Sequence, residues 1–212
     1  MISIIDYKAG NLTSVERALK KLEIPCRVTG DPALIRASER VIFPGVGAAG
    51  EAMKNLKSTG LDRAIKDFFL SGRPLLGICL GTQVILEFSL ENRTPCLGLV
   101  PGQVLRFPDP LSDREGRPLK IPHMGWNTVD WTRKHPAVPE RFLQMAFYFV
   151  HSYFPSPGEE SMILGKTHYG IDFSSALAYK NLIAFQFHPE KSGPPGLGLL
   201  KAFSEWEGRD AE

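Results

Sequence analysis

A mostly parallel α/β sheet flanked by helices is the fold class this 212-residue sequence predicts, and three observations point to it. Short apolar runs alternate with amphipathic stretches through the N-terminal half. The run Leu75-Leu76-Gly77-Ile78 is apolar on both faces, as a central parallel strand must be. An apolar strand followed by a helix returns near the C-terminal end.

The elements follow in order. Residues 2–5 read as a buried strand stopped by Asp6. A helix follows in which Leu12, Val15, Leu19 and Leu22 share a face, with Thr13 and Glu16 as a capping box and Pro25 closing it. Residues 26–29 and 40–43 read as strands, and 61–70 as an amphipathic helix burying Leu61, Ile65, Phe68 and Phe69. Pro74 precedes the strand 75–78, and a helical pattern starts beyond Cys79. From Leu97 to about Tyr179 the texture becomes β-rich, with strands at 104–107, 128–131, 147–154, 163–167 and 176–179, which read as an antiparallel extension of the same sheet. A strand at 182–187 and a helix at 196–206 complete the chain. Neither a repeat nor a long linker divides it, so a single domain over residues 1–212 is expected.

Lys and Arg number 25 against 23 Asp and Glu, a formal charge of +2, so no strong field draws the surface to nucleic acid or to an anionic membrane. With 43% hydrophobic residues, 20 glycines and 17 prolines, the composition is globular. The three cysteines, Cys26, Cys79 and Cys96, are an odd and scattered set that suits a reducing compartment. No basic-then-apolar leader opens the sequence and no run approaches about 18 apolar residues, so a cytoplasmic protein is expected.

Gly77-Ile78-Cys79-Leu80-Gly81 has the form of a nucleophile elbow, a reactive residue on a tight strand-to-helix turn with small neighbours two places either side. The helix beginning at Leu80 aims free N–H groups at the sulfur, which favours the thiolate and offers a donor to an oxyanion. Taken alone, the pentapeptide serves equally a small buried cysteine beside closely packed glycines. Cys26 and Cys96 have no such setting and read as structural. Among five histidines, His188 ends an apolar strand, where open α/β sheets place active groups, and Glu190 lies two residues beyond on the same face, able to orient the imidazole. His135 reads as a solvated loop residue, and His123 and His151 as core or as walls of a site. His168 carries no signal.

Gly45-Val46-Gly47-Ala48-Ala49-Gly50 matches a dinucleotide fingerprint, but the acidic residue expected about 20 positions on is missing. The turn can instead offer backbone N–H groups to an oxyanion. A Cys-His-Glu set suits acyl transfer from an amide or ester through a thioester.

In order along the chain, Pro44-Gly45-Val46-Gly47, Gly77-Ile78-Cys79-Leu80-Gly81-Thr82-Gln83 and Gln186-Phe187-His188-Pro189-Glu190 resemble the motifs of class I, triad-type glutamine amidotransferases. Asp6-Tyr7-Lys8-Ala9-Gly10-Asn11, Pro122-His123-Met124-Gly125-Trp126-Asn127 and Phe187-His188-Pro189-Glu190-Lys191-Ser192-Gly193 resemble the branch of glutaminase subunits serving imidazole glycerol phosphate synthases in histidine biosynthesis. The resemblance runs from residue 2 to about 203.

It implies a flavodoxin-like fold with Cys79 as nucleophile, His188 as acid and base, and Glu190 as its orienting partner. The oxyanion hole would use Leu80 and the Val46–Gly47 turn. Gln83, Glu91, Ser152 and Tyr153 would hold glutamine's amino-acid end, with Glu91 at the ammonium. Trp126, Tyr148 and Lys191 would face a (β/α)8-barrel cyclase subunit in a heterodimer that receives the ammonia. No metal or other cofactor is implied. Lys8 stands where the family usually has glycine, Thr82 where methionine is common and Ala49 where an aromatic often sits. The flexible Gly-Val-Gly turn suggests that the Val46 peptide is aimed at the oxyanion only once partner and acceptor are bound. The competing readings are the glutaminase component of an anthranilate or aminodeoxychorismate synthase, and a non-catalytic nucleotide-binding protein using residues 45–50.

Overall fold

A computed structural model describes residues 1–8, 10 and 12–209. In chain order the elements are β1 (Ile2–Ile5), α1 (Leu12–Lys21), β2 (Cys26–Thr29), α2 (Pro32–Arg36), β3 (Arg40–Gly45), α3 (Ala49–Thr59), α4 (Leu61–Leu70), β4 (Leu75–Cys79) and α5 (Leu80–Val84). Then follow β5 (Phe88–Ser89), β6 (Thr94–Pro95), β7 (Gly102–Arg106), β8 (His123–Thr128), β9 (Asp130–Trp131), β10 (Ala146–His151) and β11 (Tyr153–Pro157). β12 (Ile163–Tyr169), β13 (Ile171–Tyr179), β14 (Leu182–Phe185) and α6 (Gly193–Glu205) complete the fold.

The main sheet has eight strands in the order β2-β1-β3-β4-β14-β13-β12-β9. The first five are parallel and the last three run antiparallel, so the mixed α/β sheet expected from the apolar runs is present. Its two faces carry separate cores. One contains Val15 and Leu19 of α1 with Leu199, Leu200 and Phe203 of α6; the other contains Leu56 of α3 with Leu61, Ile65 and Phe68 of α4. β1 and β4 are buried at every position, as strands covered on both faces require.

The antiparallel extension is smaller than expected. Only β13, β12 and β9 join the main sheet. β11, β7, β5 and β6 form a separate four-stranded sheet, and among the described residues β8 pairs with β10 alone. The run 147–154, expected as one strand, breaks at Ser152 and passes from one small sheet to the other. The capping box is also displaced: α1 already includes Leu12, so Thr13 lies inside the helix and Glu16 instead pairs with Lys20 at 2.8 Å. Ala9 and Asn11, part of the motif at residues 6–11, lie outside the described residues. α2 gave no periodic signal; it is set by Asp31, whose carboxylate accepts the Ala33 N–H at 2.8 Å. Among the described residues, no helix is long and apolar enough to cross a membrane.

Candidate active site

β3, β4 and β14 are adjacent parallel strands, so their carboxyl ends lie side by side at one edge of the sheet. Cys79 closes β4 opposite Gly45 of β3, and His188 follows β14. Open α/β sheets place ligands at this edge.

The elbow is built as its glycines require. Cys79 has φ 54°, ψ −107°, outside the regions ordinary residues occupy, and the N–H of Leu80 begins α5 immediately after it. A Cβ on Gly81 would collide with the Phe43 carbonyl, and one on Gly77 would stand 3.1 Å from the Ala184 methyl. The bend therefore depends on bare backbone packed against β3 and β14. Thr82 ties α5 down by donating to the Phe185 carbonyl at 2.7 Å. α5 is only five residues long, so it supplies individual free N–H groups at its start rather than a long helix dipole.

The side chains of His188 and Glu190 are fully buried, and His188 Nδ1 lies 2.7 Å from Glu190 Oε1. Burial by itself lowers the imidazole pKa. Hydrogen bonds to the Cys79 and Glu190 side chains, and their negative charge, outweigh it and push the value up to about 10. With Nδ1 held by Glu190, the Nε2 edge faces the sulfur chemistry. Two further groups touch Cys79: its thiol reaches the Val150 carbonyl at 4.0 Å, and Gln186 Nε2 donates to the sulfur at 3.8 Å. Burial raises the thiol pKa of Cys26 and pushes that of Cys96 up to about 11, so both favour the neutral thiol.

A cavity of about 230 Å³ opens over the sulfur, lined by Val46, Gly47, Cys79, Leu80, Gln83, Glu91, Pro122, Val150, His151, Ser152 and Tyr153. Every residue expected in the oxyanion hole or at glutamine's amino-acid end therefore borders one space. Gly47 has φ +99°, a conformation that favours glycine in the turn. Glu91 Oε2 accepts the Ala49 N–H at 2.6 Å and so caps α3, whose own N-cap residue, Ala48, has no side chain to do it. That carboxylate occupies the helix start where a nucleotide phosphate would have to sit, which excludes the dinucleotide reading of residues 45–50. Lys8 retains the backbone a glycine would adopt, φ 66°, with its N–H bound to Asp6 Oδ1 at 2.9 Å.

The expected interface residues are also drawn together. Trp126 and Tyr148 are paired across β8 and β10, their rings 6.1 Å apart, and Trp126 is 59% exposed beside Met124 at 62%. Exposed Lys191 adjoins Ser192, whose hydroxyl accepts the Tyr148 N–H at 2.9 Å.

Sequence reasoning assigned no role to Gln186 or Ser192. Gln186 stands two places before His188 in the run read as a strand, which was the available signal; in the structure that strand stops at Phe185 and Pro189–Lys191 form a 3-10 turn, so a turn rather than extended alternation brings Glu190 to His188. Ser192 offered no signal, because the Tyr148 N–H that its hydroxyl accepts lies on β10, far away in sequence. His135 proves buried rather than solvated: its Nδ1 accepts the Ala137 N–H at 3.1 Å and its ring packs on Trp206 at 5.1 Å.

Comparison with known proteins agrees with this geometry. Residues 3–204 match the family model described as glutamine amidotransferase class-I. The chain is 50% identical to the imidazole glycerol phosphate synthase subunit HisH of Nitratidesulfovibrio vulgaris, over 96% of this chain and 95% of that one. It is 46% identical to the protein of the same name from Pseudomonas putida, over 98% of each. The solved structure of PurLQS from Thermotoga maritima shares the fold, with a TM-score of 0.72 at 14% identity over 96% of this chain and 97% of that one.

Proposed function

This chain belongs to the class-I glutamine amidotransferase family, and from that premise we propose that it is the glutaminase subunit of an imidazole glycerol phosphate synthase. It hydrolyses glutamine to glutamate and passes the ammonia to a cytoplasmic partner, a (β/α)8-barrel cyclase, in a heterodimer. The observation that supports this most directly is one cavity holding Cys79, the Val46–Gly47 turn, Leu80, Gln83, Glu91, Ser152 and Tyr153, with the His188–Glu190 pair beside the sulfur.

The proposed chemistry follows from these groups. Glutamine enters with its ammonium toward Glu91 and its carboxamide over Cys79. The sulfur attacks the amide carbon, and the oxyanion takes hydrogen bonds from the Leu80 N–H and the Val46–Gly47 turn. His188 is protonated at neutral pH and gives its proton to the departing nitrogen; the C–N bond breaks, ammonia leaves and a thioester remains. Neutral His188 then takes a proton from water as the oxygen attacks the thioester. The C–S bond breaks, sulfur and imidazolium are paired again, and glutamate departs after losing a proton to solvent. Glu190 keeps the ring oriented through both steps.

Ammonia in bulk water at pH 7 is mostly ammonium and no nucleophile, so its release must be protected. The exposed Trp126–Tyr148 pair with Met124 and Lys191 is the surface we assign to the cyclase. The Val46 peptide would be aimed at the oxyanion only after that partner and its acceptor are bound.

In the purified complex, Cys79→Ala should abolish glutamine-dependent synthesis and leave synthesis from added ammonia intact. Glutamine-dependent turnover by that variant would overturn the proposal.

A further inference from the structure

A second buried polar chain ends at the same cavity. Asn127 Nδ2 lies 3.3 Å from His123 Nε2, His123 Nδ1 lies 3.0 Å from His151 Nε2, and His151 Nδ1 lies 2.8 Å from the Tyr153 carbonyl oxygen. The direction of every bond follows from its ends. A carbonyl only accepts, so His151 carries its proton on Nδ1. Both rings are neutral, since burial lowers His151 to about 3 and His123 to about 4. His151 Nε2 therefore accepts, His123 donates from Nδ1, and its Nε2 accepts from Asn127. The Asn127 amide is oriented independently: Oδ1 accepts the Thr128 N–H at 2.9 Å and Nδ2 donates to the His168 carbonyl at 2.9 Å.

The Tyr153 carbonyl is where this chain meets the active site. It also accepts from Gln83 Nε2 at 3.0 Å; that nitrogen reaches Gln186 Oε1 at 3.1 Å, and Gln186 donates to the Cys79 sulfur. Aromatic rings surround the two imidazoles. His123 is stacked on Tyr169 at 4.1 Å and on Phe149 at 4.8 Å, while Phe107 and Phe173 border His151 at 5.3 and 5.2 Å. A polar chain satisfied at every link in an apolar surround specifies one arrangement, which an all-apolar filling would not.

We infer that His123 is a positioning residue for glutamine, fixing the Tyr153 carbonyl through His151 and thereby the Gln83 and Gln186 amides that border the sulfur. This rests on the glutaminase reading. His123 itself does not line the cavity, so its effect must travel through His151.

The test uses the full chain with its cyclase partner, comparing wild type, His123→Leu and His123→Asn in glutamine-dependent and ammonia-dependent synthesis. His123→Leu removes the donor to His151 and should raise the KM for glutamine about tenfold, the scale of one lost neutral hydrogen bond, with a smaller change in kcat and none in the ammonia reaction. His123→Asn keeps an N–H near the position of Nδ1 and should recover most of the loss. Long-range 15N–1H spectra of the wild type should show both rings neutral and protonated on Nδ1. An unchanged KM in His123→Leu, equal impairment of both variants, or an Nε2-protonated ring would overturn the inference. Should His123→Leu not fold, Asn127→Ala frees His123 to take the other tautomer and should raise KM in the same direction; no rise would overturn it equally. A wild-type complex that consumes no glutamine overturns the glutaminase reading and this inference with it, whereas an active wild type with insensitive variants removes the inference alone.

Discussion

His188 and His151 are both buried at the same site, and burial lowers the pKa of each, yet the two end on opposite sides of the ordinary imidazole value. His151 faces the Tyr153 carbonyl, a second imidazole and aromatic rings, none of which stabilises a positive charge enough, and its pKa falls to about 3. His188 faces a carboxylate and a thiol, and rises to about 10. At neutral pH one wall of the site thus holds a proton, and the other is neutral and serves as a scaffold. The residue type says little; the partners decide the role.

The largest break in that contrast is Glu190→Gln. Removing the carboxylate takes away one of the two groups that hold His188 above its ordinary value, so its pKa should drop toward the behaviour of His151. Orientation of the ring is weakened too, because an amide does not hold the Nδ1 proton as a carboxylate does. Loss of a general acid–base group is worth roughly 10²–10⁴-fold, and glutamine-dependent kcat should fall by that order while ammonia-dependent synthesis persists. A His188 resonance that does not move in this variant would mean that Glu190 is not what raises it.

Stability against pH should show both walls separately. His188 is raised, so the stabilisation it brings is fully present below the unfolded value of 6.5 and is lost as pH climbs through about 10. His151 and His123 are lowered, so their contribution is present above 6.5 and is lost as pH falls toward about 4 and then 3. Thermal melts should therefore fall away at both ends. His188→Gln should flatten the alkaline limb, and His123→Leu part of the acid limb. Were either variant to flatten the opposite limb, the assignment of charge to the two walls would be reversed.

What could be read in advance divides along the same line. The Cys79 elbow and the His188–Glu190 spacing were legible because the residues that make each are contiguous or two apart, and α4 was legible because its apolar face repeats over Leu61, Ile65, Phe68 and Phe69. The Tyr153 end of the site was named, but not its support, since His123 and His151 meet only when β8 pairs with β10, and nothing local states which edge an apolar strand will join. His135 was misread for a similar reason: its neighbours in sequence are charged, and the surface that buries it belongs to Trp206. Local chemistry announces the reactive group, while the frame around it depends on strand pairing between distant segments.

The smallest effect tests how the two walls are joined. Ser192 Oγ accepts the Tyr148 N–H at 2.9 Å and donates to the His188 carbonyl at 2.6 Å, while the His188 N–H donates to the Tyr148 carbonyl at 2.9 Å. These bonds join β10, which carries His151, to the segment that carries His188. Ser192→Ala leaves the His188 N–H bonded and orphans only the Tyr148 N–H, at a cost of roughly 1–2 kcal/mol. With His188 still held by Glu190 and its own backbone bond, glutamine turnover should fall only a few-fold, while hydrogen exchange at the Tyr148 amide should accelerate clearly. If turnover instead collapsed as in Glu190→Gln, the hydroxyl would be setting the imidazole as well as the strand, and the scaffold wall and the proton-storing wall would have to be treated as one unit.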